Sequence, residues 1–215
     1  MTYTVLALDP DSELIGAATA SYSLAVGNAV IALAPDVGAV ASQAYTNRRL
    51  RTQGIQALRD GLAPDQVIAK LPEWDAGHAK RQVAVIDRLG RTAAATGTDC
   101  TDWAGESAEE GLVIIGNLLT GPEVITAMVA AFKAPSDTPD PAERLASRLL
   151  ASLTAGERAG GDRRGRQSAA VQVAPVANRP DWPPDLTVDL RADNSADPLT
   201  DLTVALELRF SKASR

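Results

Sequence analysis

Residues 1–20 read MTYTVLALDPDSELIGAATA. Thr2–Leu8 alternates between polar and apolar side chains and predicts a strand, and the apolar run Leu14–Ala20 predicts a second one. Between them, Asp9-Pro10-Asp11-Ser12 consists of residue types that favour turns. The stretch therefore predicts an N-terminal β-hairpin, and the fold is expected to be built around it.

Further along the chain, the apolar patterns predict strands and helices in separate groups. Strands are expected at Val37–Gln43, Arg81–Asp87, Thr92–Thr96, Leu112–Gly116, Ser168–Val173 and Leu186–Leu190, and helices at Asn47–Asp60, Ala63–Leu71, Pro122–Lys133, Pro141–Leu153 and from Asp197-Pro198 onward. Segregated hairpins and helix pairs favour an α+β fold in which two sheets pack together with helices outside, rather than alternating βαβ units. The Pro-rich stretches are short enough to be loops, so residues 1–215 are expected to form a single domain.

Composition narrows the functional class. Of the 215 residues, 45% are hydrophobic and 4% aromatic, so the core must consist mainly of Ala, Val, Leu and Ile. The formal charge of −6 argues against nucleic acid or an anionic membrane as the main partner. Apolar runs stay well short of the roughly 20 residues of a membrane span, and the N-terminus lacks a signal-peptide pattern, so a cytoplasmic location is expected.

Several motifs span most of the chain in a fixed order. They are Met1–Ala7 with Asp9, Ser21 with Ala25-Val26-Gly27, Gly38–Ala44 with Asn47, Arg81–Asp87, Thr96-Gly97 with Cys100, Trp103-Ala104-Gly105, Gly116-Asn117-Leu118-Leu119 and Gly160–Ala170. As a set, they resemble the bacterial domain-of-unknown-function family 1028, which is placed among the Ntn-hydrolase-like folds. The resemblance implies a four-layer αββα sandwich of the N-terminal-nucleophile (Ntn) hydrolase type. It also implies amide-bond hydrolysis, here by a small-molecule amidohydrolase.

Thr2 is the sharpest catalytic candidate. An N-terminal threonine can use its own α-amine as the general base for its hydroxyl, which gives a nucleophile and a base in one residue. This chemistry requires removal of Met1, which a small second residue permits. The alternative is that Thr2 is an ordinary residue of the first strand.

Polar residues at predicted strand ends and turns are further candidates. Ser21, Asn47 and Asn117 stand where a site can present hydroxyl and amide groups to a ligand. Asn117 is the best candidate for an oxyanion donor, with a turn or helix cap as its alternative role. Ser21 joins it as a catalytic candidate, while Gln43 and Asn47, which share one of the motifs, are assigned to substrate binding.

The segment Gly160-Gly161-Asp162-Arg163-Arg164-Gly165 combines backbone freedom with opposite charges. Arg163 could clamp a substrate carboxylate, Asp162 could orient an amine or the arginine itself, and Gly161 would allow close backbone approach. A second basic group, Arg48-Arg49-Leu50-Arg51, could also hold a small anion, although solvated arginines paired with nearby acids explain it better.

Metal and cofactor chemistry has little support in the sequence. His78 is the only histidine and Cys100 the only cysteine, so a zinc site is not expected, and no metal or other cofactor is assigned. A small buried cysteine and a solvated loop histidine are the simpler interpretations.

Three functions remain open. The first is the Ntn-type hydrolysis of a small polar or anionic amide by Thr2, and the second is a non-catalytic ligand-binding or regulatory protein on the same fold. The third is hydrolysis by a metal-activated water in the same cleft. A homodimer is expected only because two-fold assemblies are common.

Overall fold

The structure is a computed structural model that describes residues 2–180 and 183–213, without the side chains of residues 212 and 213. Its strands are β1 (Thr2–Asp9), β2 (Leu14–Ser21), β3 (Ile31–Ala34), β4 (Gly38–Ala44), β5 (Arg81–Asp87), β6 (Thr92–Thr96), β7 (Gly105–Glu109), β8 (Leu112–Asn117), β9 (Ser168–Pro175) and β10 (Val188–Ala192). Its helices are α1 (Val26–Val30), α2 (Arg48–Arg59), α3 (Pro64–Ala69), α4 (Leu71–Trp74), α5 (Glu123–Lys133), α6 (Pro141–Arg158) and α7 (Pro198–Ala213), with a short 3-10 helix at His78–Lys80.

The predicted N-terminal hairpin is confirmed. Strands β1 and β2 pair antiparallel from Tyr3 opposite Ala20 to Asp9 opposite Leu14. Strand β1 also pairs with β8, and β2 with β9, so the hairpin lies at the centre of a sheet. Successive side chains of each strand point to opposite faces of this sheet, and both faces are covered by other parts of the protein.

The strands of the described residues form two antiparallel sheets. The larger has six strands in the order β10-β9-β2-β1-β8-β7, and the smaller has four in the order β3-β4-β5-β6. The fold is therefore a mixed α+β arrangement with two antiparallel sheets, as the separate grouping of strands and helices predicted.

Three hydrophobic clusters hold the elements together. One joins the outward residues of the six-stranded sheet, such as Tyr3 and Val5, to helices α5, α6 and α7. A second fills the space between the two sheets with residues such as Leu6 and Ile115, and a third packs α2 and α3 against the four-stranded sheet. Within the described ranges, none of the helices is long and apolar enough to cross a membrane.

Some elements were not predicted from the sequence. The run Val26–Ala34 divides into helix α1 and strand β3 at Ile31, and the residues at the junction, Val30-Ile31-Ala32, are all apolar, so no turn signal marks the change. Strand β7 (GESAE) was not predicted, since an edge strand that carries charged residues lacks the apolar alternation of a buried one.

Candidate functional site

The inner faces of the two sheets change from apolar to polar at one end. The antiparallel strands place the start of β1 beside the ends of β2 and β8, and the end of β4 beside the start of β5. Seven buried polar side chains meet there and are called the inner polar cluster: Thr2, Thr4, Thr19, Ser21, Gln43, Gln82 and Asn117. Buried polar groups are costly unless they are hydrogen-bonded, so the partners of this cluster define the candidate site.

Thr2 lies at the edge of the cluster. It stands opposite Asn117 in the pairing of β1 with β8, and its hydroxyl donates to the Ser21 hydroxyl over 3.2 Å. Its carbonyl oxygen accepts from Gln43 Nε2 at 2.9 Å and from Asn117 Nδ2 at 3.4 Å. The structure thus brings together Thr2, Ser21, Asn117 and Gln43, four of the residues that the sequence placed in the site.

Gln82 orients the amide groups of this cluster. Its Nε2 donates to the backbone carbonyl oxygens of Gly116 at 2.9 Å and Gly105 at 3.1 Å, which can only accept. Its Oε1 must therefore face the other way, where Gln43 Nε2 donates at 2.8 Å and Asn117 Nδ2 at 3.1 Å. The two amides consequently direct their NH₂ groups towards Thr2.

The rest of the cluster holds Gln43 in the same orientation. Thr4 donates its hydroxyl to Gln43 Oε1 over 2.6 Å, and the Thr4 and Thr19 hydroxyls lie 2.8 Å apart. Gln43 is fully buried and spans the space between the two sheets. It therefore positions the start of β1, although the sequence assigned it to substrate binding.

The residues that follow Gln43 and Asn117 both have a left-handed backbone conformation. Ala44, directly after Gln43, has a φ of 67°, and Leu118, directly after Asn117, has a φ of 53°. Such values cost a residue other than glycine about 1–2 kcal/mol. The chain therefore turns sharply where each strand delivers its amide, and strain of this kind is frequent near functional sites.

Asp162 fixes the glycine-rich segment against the end of β2. Its Oδ2 accepts from the Tyr22 backbone N–H at 2.9 Å, and its Oδ1 accepts from the Arg164 backbone N–H at 2.8 Å. The Arg164 guanidinium also pairs with this carboxylate at 3.2 Å. Asp162 is thus buried beside Tyr22, directly after Ser21. Its arginine partner is Arg164 rather than Arg163.

Arg163 and Gly161 have different surroundings. The Arg163 side chain is exposed, and its Nη1 donates to the Asp102 carbonyl oxygen at 3.2 Å. Gly161, with a φ of 48°, donates its N–H to the Gly156 carbonyl at 3.0 Å and so closes the end of helix α6. The glycine therefore serves the helix terminus, while Arg163 has donors left to offer a ligand.

Asn47 caps helix α2. Its Oδ1 accepts from the Arg49 backbone N–H at 3.1 Å, and its Nδ2 donates to Asp75 Oδ2 at 2.7 Å. Hydrogen bonds from Arg81 and then Asn47 lower the pKa of Asp75 to about 2. Both ends of the Asn47 amide thus bind protein groups, and its assignment to substrate binding stays a prediction.

Gln82, Thr4 and Thr19 belong to the cluster but were not predicted from the sequence as site residues. All three occupy inward positions of strands that also direct apolar side chains, such as Leu6, Ala17 and Ala84, into the space between the sheets. A polar residue at an inward position was therefore the signal available in the sequence.

Two exposed tyrosines stand at the same end of the sheets. Tyr22, 46% exposed, follows Ser21, and the Arg164 guanidinium lies 5.6 Å from its ring centre. Tyr45, 58% exposed, follows Ala44, and Lys80 Nζ lies 5.9 Å from its ring centre.

In residues 2–180 and 183–213, no group of three His, Cys, Asp or Glu side chains lies close enough together to hold a metal ion.

Comparison with known proteins identifies the family. A model for the family of unknown function DUF1028 matches residues 2–202. The crystal structure of the protein SPO2555 from Silicibacter pomeroyi, also assigned to DUF1028, is similar with a TM-score of 0.82 and 35% sequence identity, covering 100% of this chain and 89% of that one. A search of curated proteins gave no match. On the extent of these two similarities, the chain belongs to the DUF1028 family.

Proposed function

We propose that the protein is a small-molecule amidohydrolase of the N-terminal-nucleophile type, with Thr2 as its nucleophile. The observation that carries the proposal is the Thr2 hydroxyl, which points between two sheets into a polar cluster and donates to Ser21. The order of helices, two stacked sheets and helices fits a four-layer αββα sandwich in one domain. We also propose that the protein is a cytoplasmic homodimer and that its substrate is a small, anionic amide.

The proposed reaction begins with removal of Met1, which lies outside the described residues. The freed α-amine of Thr2 then takes the proton of the Thr2 hydroxyl as its oxygen attacks the substrate carbonyl carbon. The tetrahedral intermediate collapses by breaking the C–N bond, and the leaving amine takes up the proton. Water, activated by the same α-amine, cleaves the resulting ester and restores Thr2.

Three neighbouring groups support this chemistry. Ser21 orients the Thr2 hydroxyl. The Asn117 N–H that makes only a long 3.4 Å hydrogen bond to the Thr2 carbonyl oxygen would turn to the developing oxyanion. The exposed Arg163 lies on the loop that packs against Leu118, directly after Asn117, and can hold a substrate carboxylate. A substrate carboxylate bound by Arg163 would orient the amide.

Intact-mass measurement of untagged protein from its native host tests the proposal. The expected species is lighter by one methionine, and amine release from a panel of small amides should require Thr2. Thr2→Ala should abolish turnover with the fold intact, whereas Thr2→Ser should keep part of it. If Met1 is retained and turnover persists, the Thr2 mechanism is wrong, and a chelator would choose between a nucleophile such as Ser21 and a metal-activated water.

A binding or regulatory protein is the second candidate. It is favoured by the internal hydrogen bonds of Gln43, Gln82 and Asn117, because a satisfied buried network also serves to specify a fold. A protein that lacks turnover but binds an amide, with affinity that Thr2→Ala leaves unchanged, would support this candidate.

A further inference from the structure

A cavity of about 390 Å³ lies beside strand β3, away from the inner polar cluster. Strand β3 is the edge of the four-stranded sheet and packs over β2, so the larger sheet continues past it with β9. The cavity occupies this step, between the edge strand, helix α2 and the segment that follows β9. Its apolar walls include Ile31, Leu33, Ile55, Pro184 and Leu186.

Two cations border this cavity. Arg51 reaches the edge strand, where its Nη1 donates to the Ile31 carbonyl oxygen at 2.7 Å. Its Nε is buried and has no hydrogen-bond partner among the described residues. Arg59 is already paired with Asp36 through two hydrogen bonds of 2.7 and 2.9 Å.

The charge of Arg51 is therefore poorly compensated. Burial, and then the like charge of Arg48 on the same helix, lower the pKa of Arg51. Among the described residues, the cavity lining includes two arginines and no aspartate or glutamate. An anion bound in this space would offset the free-energy cost of burying the Arg51 charge.

We propose that this cavity binds a small organic carboxylate with an apolar body, whose carboxylate pairs with Arg51. Thr52 and Gln56, on the exposed side of α2, border the entry and offer further polar contacts. The apolar walls take the hydrocarbon part, and the guanidinium distinguishes the acid from a neutral compound of the same shape. The site does not depend on Thr2 or on the proposed hydrolysis.

Benzoate and benzyl alcohol, which share a ring but differ in charge, are suitable probes for calorimetric titration at low salt. Benzoate should bind with one-to-one stoichiometry, at least about tenfold more tightly than benzyl alcohol. Arg51→Met should weaken benzoate by about tenfold or more, because it removes the charge and keeps most of the side-chain length. Arg49→Met is the matched control, since Arg49 is exposed on the same helix outside the lining.

Thr52→Phe gives a second, independent arm. Thr52 is exposed, so this variant should fold even if Arg51→Met does not, and its ring should fill the entry and abolish benzoate binding. Thr2→Ala should leave the benzoate affinity unchanged, which separates this site from the proposed active site. The proposal is overturned if benzoate fails to bind at millimolar concentration, if benzyl alcohol binds equally well, or if Arg49→Met and Arg51→Met have the same effect.

Discussion

Replacing Gln82 by methionine tests the central role of this residue in the inner polar cluster. Methionine has a similar volume and unbranched shape, so the substitution removes hydrogen bonds with little change in packing. The bonds lost include those to Gln43 at 2.8 Å, to the Gly116 carbonyl at 2.9 Å and to Asn117 at 3.1 Å.

The expected loss of stability follows from these three bonds. At about 1–1.5 kcal/mol for each buried hydrogen bond, Gln82→Met should lower the free energy of unfolding by about 3–5 kcal/mol. A domain of this kind has a total stability of about 5–15 kcal/mol, so the variant should unfold at a clearly lower urea concentration.

Urea denaturation followed by circular dichroism measures the effect. Gln56→Met is the control, because Gln56 is exposed and its side chain bonds only to the exposed Asp60 among the described residues. The control should change stability by less than about 0.5 kcal/mol. A loss below about 1 kcal/mol for Gln82→Met would contradict the view that Gln82 holds the cluster together.

Three further predictions concern separate parts of the molecule. The folded-state pKa of Asp75 is about 2, below its usual 3.8, so the charged carboxylate stabilises the fold above about pH 4, and this contribution disappears as the pH falls towards 2. Asp75→Asn should therefore lower the thermal midpoint at pH 7, and should lower it much less at pH 2. Gly16→Ala would place a methyl group 2.6 Å from Leu149 Cδ1, and a loss of about 1–3 kcal/mol is expected in urea titrations. If the proposed hydrolysis is right, Asn117→Ala should cost about 1–3 kcal/mol of stability and slow turnover at least about 100-fold, so a folded variant with full turnover would show that Asn117 has no catalytic role.

The sequence predicted the elements whose pattern was strong. The hairpin of β1 and β2, the pair β5 and β6, and helices α2, α5 and α6 all form near their expected positions, because their apolar residues follow a clear period of two or about 3.6. Helix α1 and strand β7 were missed, since α1 is only five residues long and β7 is an edge strand that carries charged residues.

The candidate site was predicted in part for a similar reason. Thr2, Ser21 and Asn117 could be identified as polar residues at strand ends, but their proximity depends on the strand order, which no local pattern specifies. Asp162 was expected to face a ligand, yet its carboxylate is occupied by backbone N–H groups and Arg164. Contacts between residues that are 140 apart in the chain cannot be deduced from spacing alone.

The order of the six-stranded sheet also affects how the chain folds during synthesis. The first hairpin leaves the ribosome early, but β1 must wait for β8, and β2 for β9, before both edges of the hairpin are paired. Until then, two rows of backbone N–H and C=O groups are open to pairing with other chains. Nascent chains that end at residue 160 should therefore aggregate on release, while chains extended through residue 192 should not, and sedimentation of the released products would compare the two. Strand β9 is thus needed to pair with the open edge of β2 in the N-terminal hairpin.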